Sequence, residues 1–135
     1  MFLPVLNTAE KVAFVNLLYN AAKVDGHFGQ NEQEHIDAYI TEMGLTGGQT
    51  TDMSYKTETV LELFSKSSFQ AKKIVYTELM ALIFADGKFS TEEKKFVKQV
   101  QISLGISDDF CSDAQKWVQK IIPLYKEGFK LVELI

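Results

Sequence analysis

The chain of 135 residues contains no arginine: all 14 of its basic residues are lysine, against 18 acidic residues, for a net charge of −4. Arginine's planar fork is the usual means of gripping phosphates and base edges bidentately, so its absence and the acidic balance argue against a nucleic-acid surface. A single cysteine, Cys111, excludes an intrachain disulfide and suits a reducing compartment, where a lone thiol serves as a small buried apolar residue. No apolar run approaches the ~20 residues needed to cross a bilayer, and MFLPVLNTAEK at the start lacks the basic and apolar segments of a secretory signal. The expectation is a soluble, cytoplasmic protein. Only two prolines occur, Pro4 and Pro123, while 46% of residues are hydrophobic and 24% charged. Disordered, collagen-like and disulfide-stapled classes are thereby excluded, and the length fits one domain spanning 1–135.

Nothing in the chain alternates with the period of two that a half-buried strand shows; apolar residues recur at helical spacing almost throughout. The fold class is therefore all-α, a bundle of about six to seven helices. The spacing predicts a first helix over about 9–24, opened by Asn7 with Glu10 three residues on, in capping-box spacing. A second covers about 30–43, with Ile36, Tyr39, Ile40 and Met43 on one face and Gly44 as a left-handed stop. The polar TGGQTTDMS reads as a loop before a short helix over about 56–65. From Phe69 to Ala85 the sequence is apolar nearly all round, which belongs in the middle of a bundle. A further helix over about 91–104 stops at Gly105. A last one begins near Ser107 and buries Phe110, Trp117, Val118, Ile121 and Tyr125 before Pro123 kinks or ends it, and the tail FKLVELI packs back as a short helix.

An internal repeat underlies this pattern. At an offset of 61 residues, the distance from Asp25 to Asp86, AAKVDGHFGQNEQEHIDAYITEMGLT aligns with LIFADGKFSTEEKKFVKQVQISLGIS. The pairs Asp25/Asp86, Gly26/Gly87, Phe28/Phe89, Glu32/Glu93 and Gly44/Gly105 are identical. Two duplicated helix-turn-helix hairpins, at about 9–46 and 70–107, can thus bury each other's apolar faces around a pseudo-twofold axis.

The repeated DGxFxxxE turn has two physical readings. In one, Asp-Gly ends a helix, the phenylalanine plugs the core, Gly29 or Ser90 caps the next helix, and Glu32 or Glu93 completes a capping box. In the other, the acids gather on a cation. The pattern is also the second half of an EF-hand loop, but the first and third ligand positions would fall on Ala21 and Lys23, and on Leu82 and Phe84, so neither loop alone supplies the six to eight oxygens of an ordinary EF-hand. If the two turns meet across the pseudo-twofold, Asp25, Glu32, Asp86 and Glu93 share one carboxylate cluster. Glu78 joins the candidate metal ligands as the only charge between Ile74 and Ala85, because a buried acid must be paired, protonated or metal-bound; its bland reading is a solvent-facing glutamate.

The segments KVDGHFGQNEQE and FADGKFSTEEKKFV, with MGLT and LGIS, resemble the turn and cap of the TerB-like family, the tellurite-resistance protein B group and its relatives, which include the N-terminal domain of a membrane-associated DnaJ-type co-chaperone. The similarity spans about residues 9 to 107. It implies an all-helical duplicated fold, a cytoplasmic or inner-membrane-associated stress context, an acidic patch associated with divalent metal, and no established reaction. Carried over by position, the acids are Asp25 and Glu32 in the first turn and Asp86 and Glu93 in the second. Lys23 departs from the small residue expected before the turn, and Asn16 and Leu17 stand where the second repeat has Thr77 and Glu78, so any site draws more on the second repeat.

Three function classes follow. A metal-binding or metal-sensing module would take calcium, magnesium, manganese or zinc at the paired turns and be coupled to a protein partner; peripheral membrane association is compatible with it. A pure protein-interaction scaffold would use a surface patch instead, with Lys94, Lys95 and Lys98 or Asp108, Asp109 and Asp113 as charge groups that otherwise form solvated faces. The enzyme reading is weakest: no catalytic residues are assigned, because His27 and His35 lack ligand or triad spacing and Cys111 has no histidine near it in sequence. The expected function is a non-enzymatic TerB-like, stress-associated module.

Overall fold

The computed structural model describes residues 1–24, 26, 28–85 and 87–133. Six α-helices form the fold: α1 (Thr8–Lys23), α2 (Gln30–Glu42), α3 (Thr57–Ser65), α4 (Phe69–Ala85), α5 (Thr91–Leu104) and α6 (Asp108–Leu131). Short 3₁₀ turns at Leu3–Val5 and Gly47–Thr50 complete it, and no strand occurs among the described residues. The all-α class and five of the six helix boundaries follow the sequence pattern to within a residue or two.

Local chemistry explains where the helices start and stop. Asn7 caps α1 reciprocally: its side chain accepts from the Glu10 N–H at 2.9 Å, and Glu10 accepts from the Asn7 N–H at 2.9 Å. Gly44 and Gly105 follow the two equivalent helices with φ of +70° and +66°, a conformation that side chains disfavour. Gly26 and Gly87 repeat the same device in the turns, at +81° and +78°.

The duplication is visible in the packing. α1 and α4 lie at the 61-residue offset, as do α2 and α5. In each half the second and third helices pack on the first, α2 and α3 on α1, α5 and α6 on α4; contacts of α1 with α4 and of α3 with α5 join the halves. The middle helix is α4, which touches α1, α3, α5, α6 and the first 3₁₀ turn. Its all-round apolar character is what that position requires: Val75, Tyr76, Leu79 and Met80 are fully buried, beside Phe14, Leu17 and Phe64 from α1 and α3. Each such side chain contributes about 1.5–3 kcal/mol of transfer free energy.

Several expectations need correction. α6 does not end at Pro123 but continues to Leu131, and the tail forms no separate helix. Trp117 and Tyr125, expected in the core, are 38% and 47% exposed. Phe28 does not plug the core either: it is exposed and stacks on Tyr19 at 5.6 Å between centroids, with the Lys23 ammonium within about 6 Å of both rings. Its repeat partner Phe89 is half-buried against the core and meets Phe84 edge-on at 5.2 Å.

Candidate functional site

The two DGxFxxxE turns deliver their glutamates to the first turns of α2 and α5. There Glu93 Oε1 accepts the Ser90 N–H at 2.9 Å while Ser90 Oγ accepts the Glu93 N–H at 3.1 Å, a full capping box. Glu32 Oε2 accepts the Gly29 N–H at 3.0 Å, and glycine has no side chain with which to return the bond. Helix capping therefore accounts for one oxygen of each carboxylate.

The same two glutamates also meet. Glu32 and Glu93 line one cleft of about 90 Å³ together with Ala21, Ala22, Leu82 and Ile83, and with Asn31 and His35 at its first-repeat side. Ala21 and Leu82, Ala22 and Ile83, and Glu32 and Glu93 are three pairs at the 61-residue offset. The cleft thus lies between the two repeats, which bring equivalent carboxylates to it. Asp25, Asp86 and His27 lie outside the described residues. Among the described residues no group of three or more histidine, cysteine or acidic side chains is arranged to hold a metal ion.

Glu78 occupies a different place. It is buried at 4% exposure, as the buried-acid reading expects, and its Oε1 accepts from the Met1 ammonium at 3.0 Å and from the Phe2 N–H at 3.1 Å. The ammonium reaches Glu42 as well, at 2.7 Å. Burial alone would lower the Met1 amine's pKa, but the hydrogen bonds to Glu42 and Glu78 and their charges outweigh it and the pKa is raised. Nearby Tyr39 is held above its ordinary range by burial first and then by the charges of Glu78 and Glu42. Glu78 lines a 350 Å³ cavity between α2, α4 and α6 and not the Glu32/Glu93 cleft. Leu17, its equivalent in the first repeat, is fully buried.

A protein-family model described as tellurite resistance protein TerB matches residues 11–116. The chain belongs to the TerB family. No curated protein and no solved structure matches it. Within the TerB match lie both turns and the whole cleft, whereas the second half of α6 extends beyond it. No helix of this TerB-family chain is long and apolar enough, among the described residues, to cross a membrane.

Sequence reasoning missed Asn31 and the position of His35 at the cleft. The offset carried a signal for the floor: applied to Ala21 and Ala22 it points at Leu82 and Ile83. Nothing in the pattern pointed to Asn31 or His35, whose repeat equivalents are Glu92 and Phe96. The charge groups resolve into ordinary surface chemistry: Lys98 pairs with Asp108 at 3.4 Å, Gln101 donates to the same carboxylate at 2.6 Å, and Lys94 sits over the Phe89 ring. These bonds, Gln101's first and then Lys98's charge, hold Asp108 below the usual carboxylate range.

Proposed function

We propose that this TerB-family domain is a non-enzymatic, divalent-cation-binding module whose site is the cleft between the two repeats, with Glu32 and Glu93 as ligands and Asp25 and Asp86 completing the set. The observation that carries the reading is the convergence of two repeat-related carboxylates in one cleft. Capping explains each glutamate singly, but it does not require the two to share a cavity.

The donor set and the space favour a hard, partly hydrated ion. A water needs about 10–15 Å³ of such space, so a 90 Å³ cleft has room for a cation with several waters. Magnesium keeps most of its waters and takes one or two carboxylates, and calcium and manganese likewise prefer oxygen; structural zinc wants nitrogen or sulfur, of which His35 is the one source among the described lining residues. The cleft is also well below the roughly 300–1,000 Å³ that organic ligands occupy, which favours an ion over an organic molecule at this site. Glu78 is left out of the site because an ammonium and an N–H already answer its charge. A cytoplasmic, stress-associated setting and a protein partner that reads the loaded state complete the proposal, on the strength of family membership alone.

Thermal unfolding of the chelator-stripped protein with magnesium, calcium, manganese and zinc titrated in turn tests it. An ion that binds only the native state stabilises it by RT ln(1 + [L]/Kd), about 2.7 kcal/mol at a hundredfold excess over Kd. The expected result is a concentration-dependent rise in Tm that the Glu32→Gln/Glu93→Gln variant loses; glutamine keeps an oxygen for the cap, so the fold survives. If no ion shifts the wild type at up to about millimolar levels, the site is sunk. The protein-interaction reading then stands alone.

A further inference from the structure

The longest element is only half used by the fold. α6 runs about 36 Å at 1.5 Å per residue, yet Leu124, Leu131 and Val132 are 58%, 84% and 62% exposed. Besides the positions that face the core, one set of small and apolar residues alternates by fours and threes for three heptads, with Ala114 in it already buried. Phe110, Trp117, Leu124 and Leu131 form one row, and Ala114, Ile121 and Gly128 the other. One flank of this seam, with Cys111 and Val118, is buried by the chain itself, while the other carries Asp113, Lys120 and Glu127 in the open. The seam continues into an open apolar groove of about 580 Å³ beside Phe110 and Trp117, walled by Phe2, Val5 and Phe69 and floored by Ala114.

We propose that this seam is a self-association surface, on which α6 of a second copy of the chain packs antiparallel to form a twofold dimer. The seam is complementary to itself in one antiparallel register. There Trp117 lies over the partner's Gly128 and Leu131 drops into the groove over the partner's Ala114, so a bulky side chain faces a small one in each outer layer, while Ile121 meets the partner's Leu124 in the central layers. The same register sets Lys120 opposite the partner's Glu127, and by symmetry Glu127 opposite the partner's Lys120. In an antiparallel pair these flanking positions face their own kind, so this charge order decides whether the pairing is favoured. Isologous contacts of this sort close on themselves and leave no free end for a fibre. In this register the two copies overlap from residue 114 to residue 131, about 27 Å at 1.5 Å per residue, and a strip of that length and about 12 Å wide removes roughly 320 Å² from each copy, about 650 Å² in all, so the dimer belongs to the weak, transient class. An anionic membrane is the competing occupant, because Lys116, Lys120, Lys126 and Lys130 surround this half of α6 against Glu127 alone; the concave groove beside Phe110 and Trp117 favours a second copy, whose side chains can enter it where a flat bilayer cannot.

Sedimentation equilibrium over a concentration series of the full chain tests the proposal, with helical content checked by circular dichroism. The wild type is expected to pass from monomer to dimer at tens to hundreds of micromolar. Lys120→Glu and Glu127→Lys, each on the exposed face, are expected to weaken the dimer about tenfold or more, and the Lys120→Glu/Glu127→Lys double variant to restore it, a recovery that misfolding or unspecific stickiness would not give. A wild type that stays monomeric to about 1 mM overturns the proposal. So does a double variant no better than the singles, or a monomeric chain that instead sediments with phosphatidylglycerol vesicles.

Discussion

At the scale of single residues, the repeat is broken most sharply at Leu17 and Glu78. The equivalent positions in two homologous helices hold a fully buried leucine and a buried glutamate. The difference is tolerable because the N-terminal segment lies against α4 and brings an ammonium and an N–H to Glu78. That the acid was buried could be argued from its apolar neighbours in sequence; that its partner was 77 residues away could not. This pairing predicts a pH dependence. The Met1 amine has its pKa raised in the fold, so its contribution to stability is fully present below the unfolded value of 8.0 and is lost as pH rises through the folded value. Between pH 7.5 and 9.5, Tm of the chain beginning at Met1 should fall, and it should fall less in Glu78→Gln, which has lower stability at the outset. Equal slopes in the two proteins would remove Glu78 from the account. Another missed residue is Asn16, 2% exposed on α1, which clamps Tyr55 by donating to its carbonyl at 2.9 Å and accepting its N–H at 3.2 Å. It ties the loop after α2 to the core. Asn16→Ala leaves the Tyr55 N–H without its acceptor and the carbonyl with only the Asn20 amide at 3.3 Å, and should cost about 1 kcal/mol in chemical denaturation.

At the scale of elements, caps and periodicity located the helices because both are local. Asn7, Ser90 and Ser107 each accept an N–H three residues on, and such signals need no knowledge of the rest of the chain. α6 is where local rules failed. Proline removes one backbone donor and crowds the preceding turn, which normally stops a helix, but Pro123 is exposed and the freed Gln119 carbonyl can be hydrated. The helix continues because Val118 and the partly buried Ile122 still pack on the core. The helix beyond the proline should accordingly be its least protected part. Pro123→Ala restores the bond to Gln119 and is expected to slow amide exchange over residues 124–131 by about tenfold or more, the equivalent of about 1.4 kcal/mol. Unchanged exchange would mean that packing alone, and not the backbone ladder, sets the protection of this segment.

At the scale of the whole molecule, α4 organises both the fold and the cleft. It packs against α1, α3, α5 and α6, and it supplies Leu82 and Ile83 to the cleft floor while burying Leu79 completely. Leu79→Ala should cost about 2–5 kcal/mol, read from the denaturation midpoint, because close packing on all sides leaves little room for collapse around the void. That the protein is all-helical, where most helices begin and end, and that it is a duplication whose turns carry paired acids are all legible in the order of the residues. Those properties rest on spacing within a few residues, or on a repeat offset that can be read without coordinates. It took the packed bundle to show that Glu32 and Glu93 share a cleft, that Glu78 meets the Met1 ammonium that Glu42 also binds, and that Phe28, Trp117 and Tyr125 lie outside the core. Each of those outcomes depends on which apolar face found a partner across the bundle. Periodicity shows that a face exists; only the packing of the other helices shows whether anything covers it.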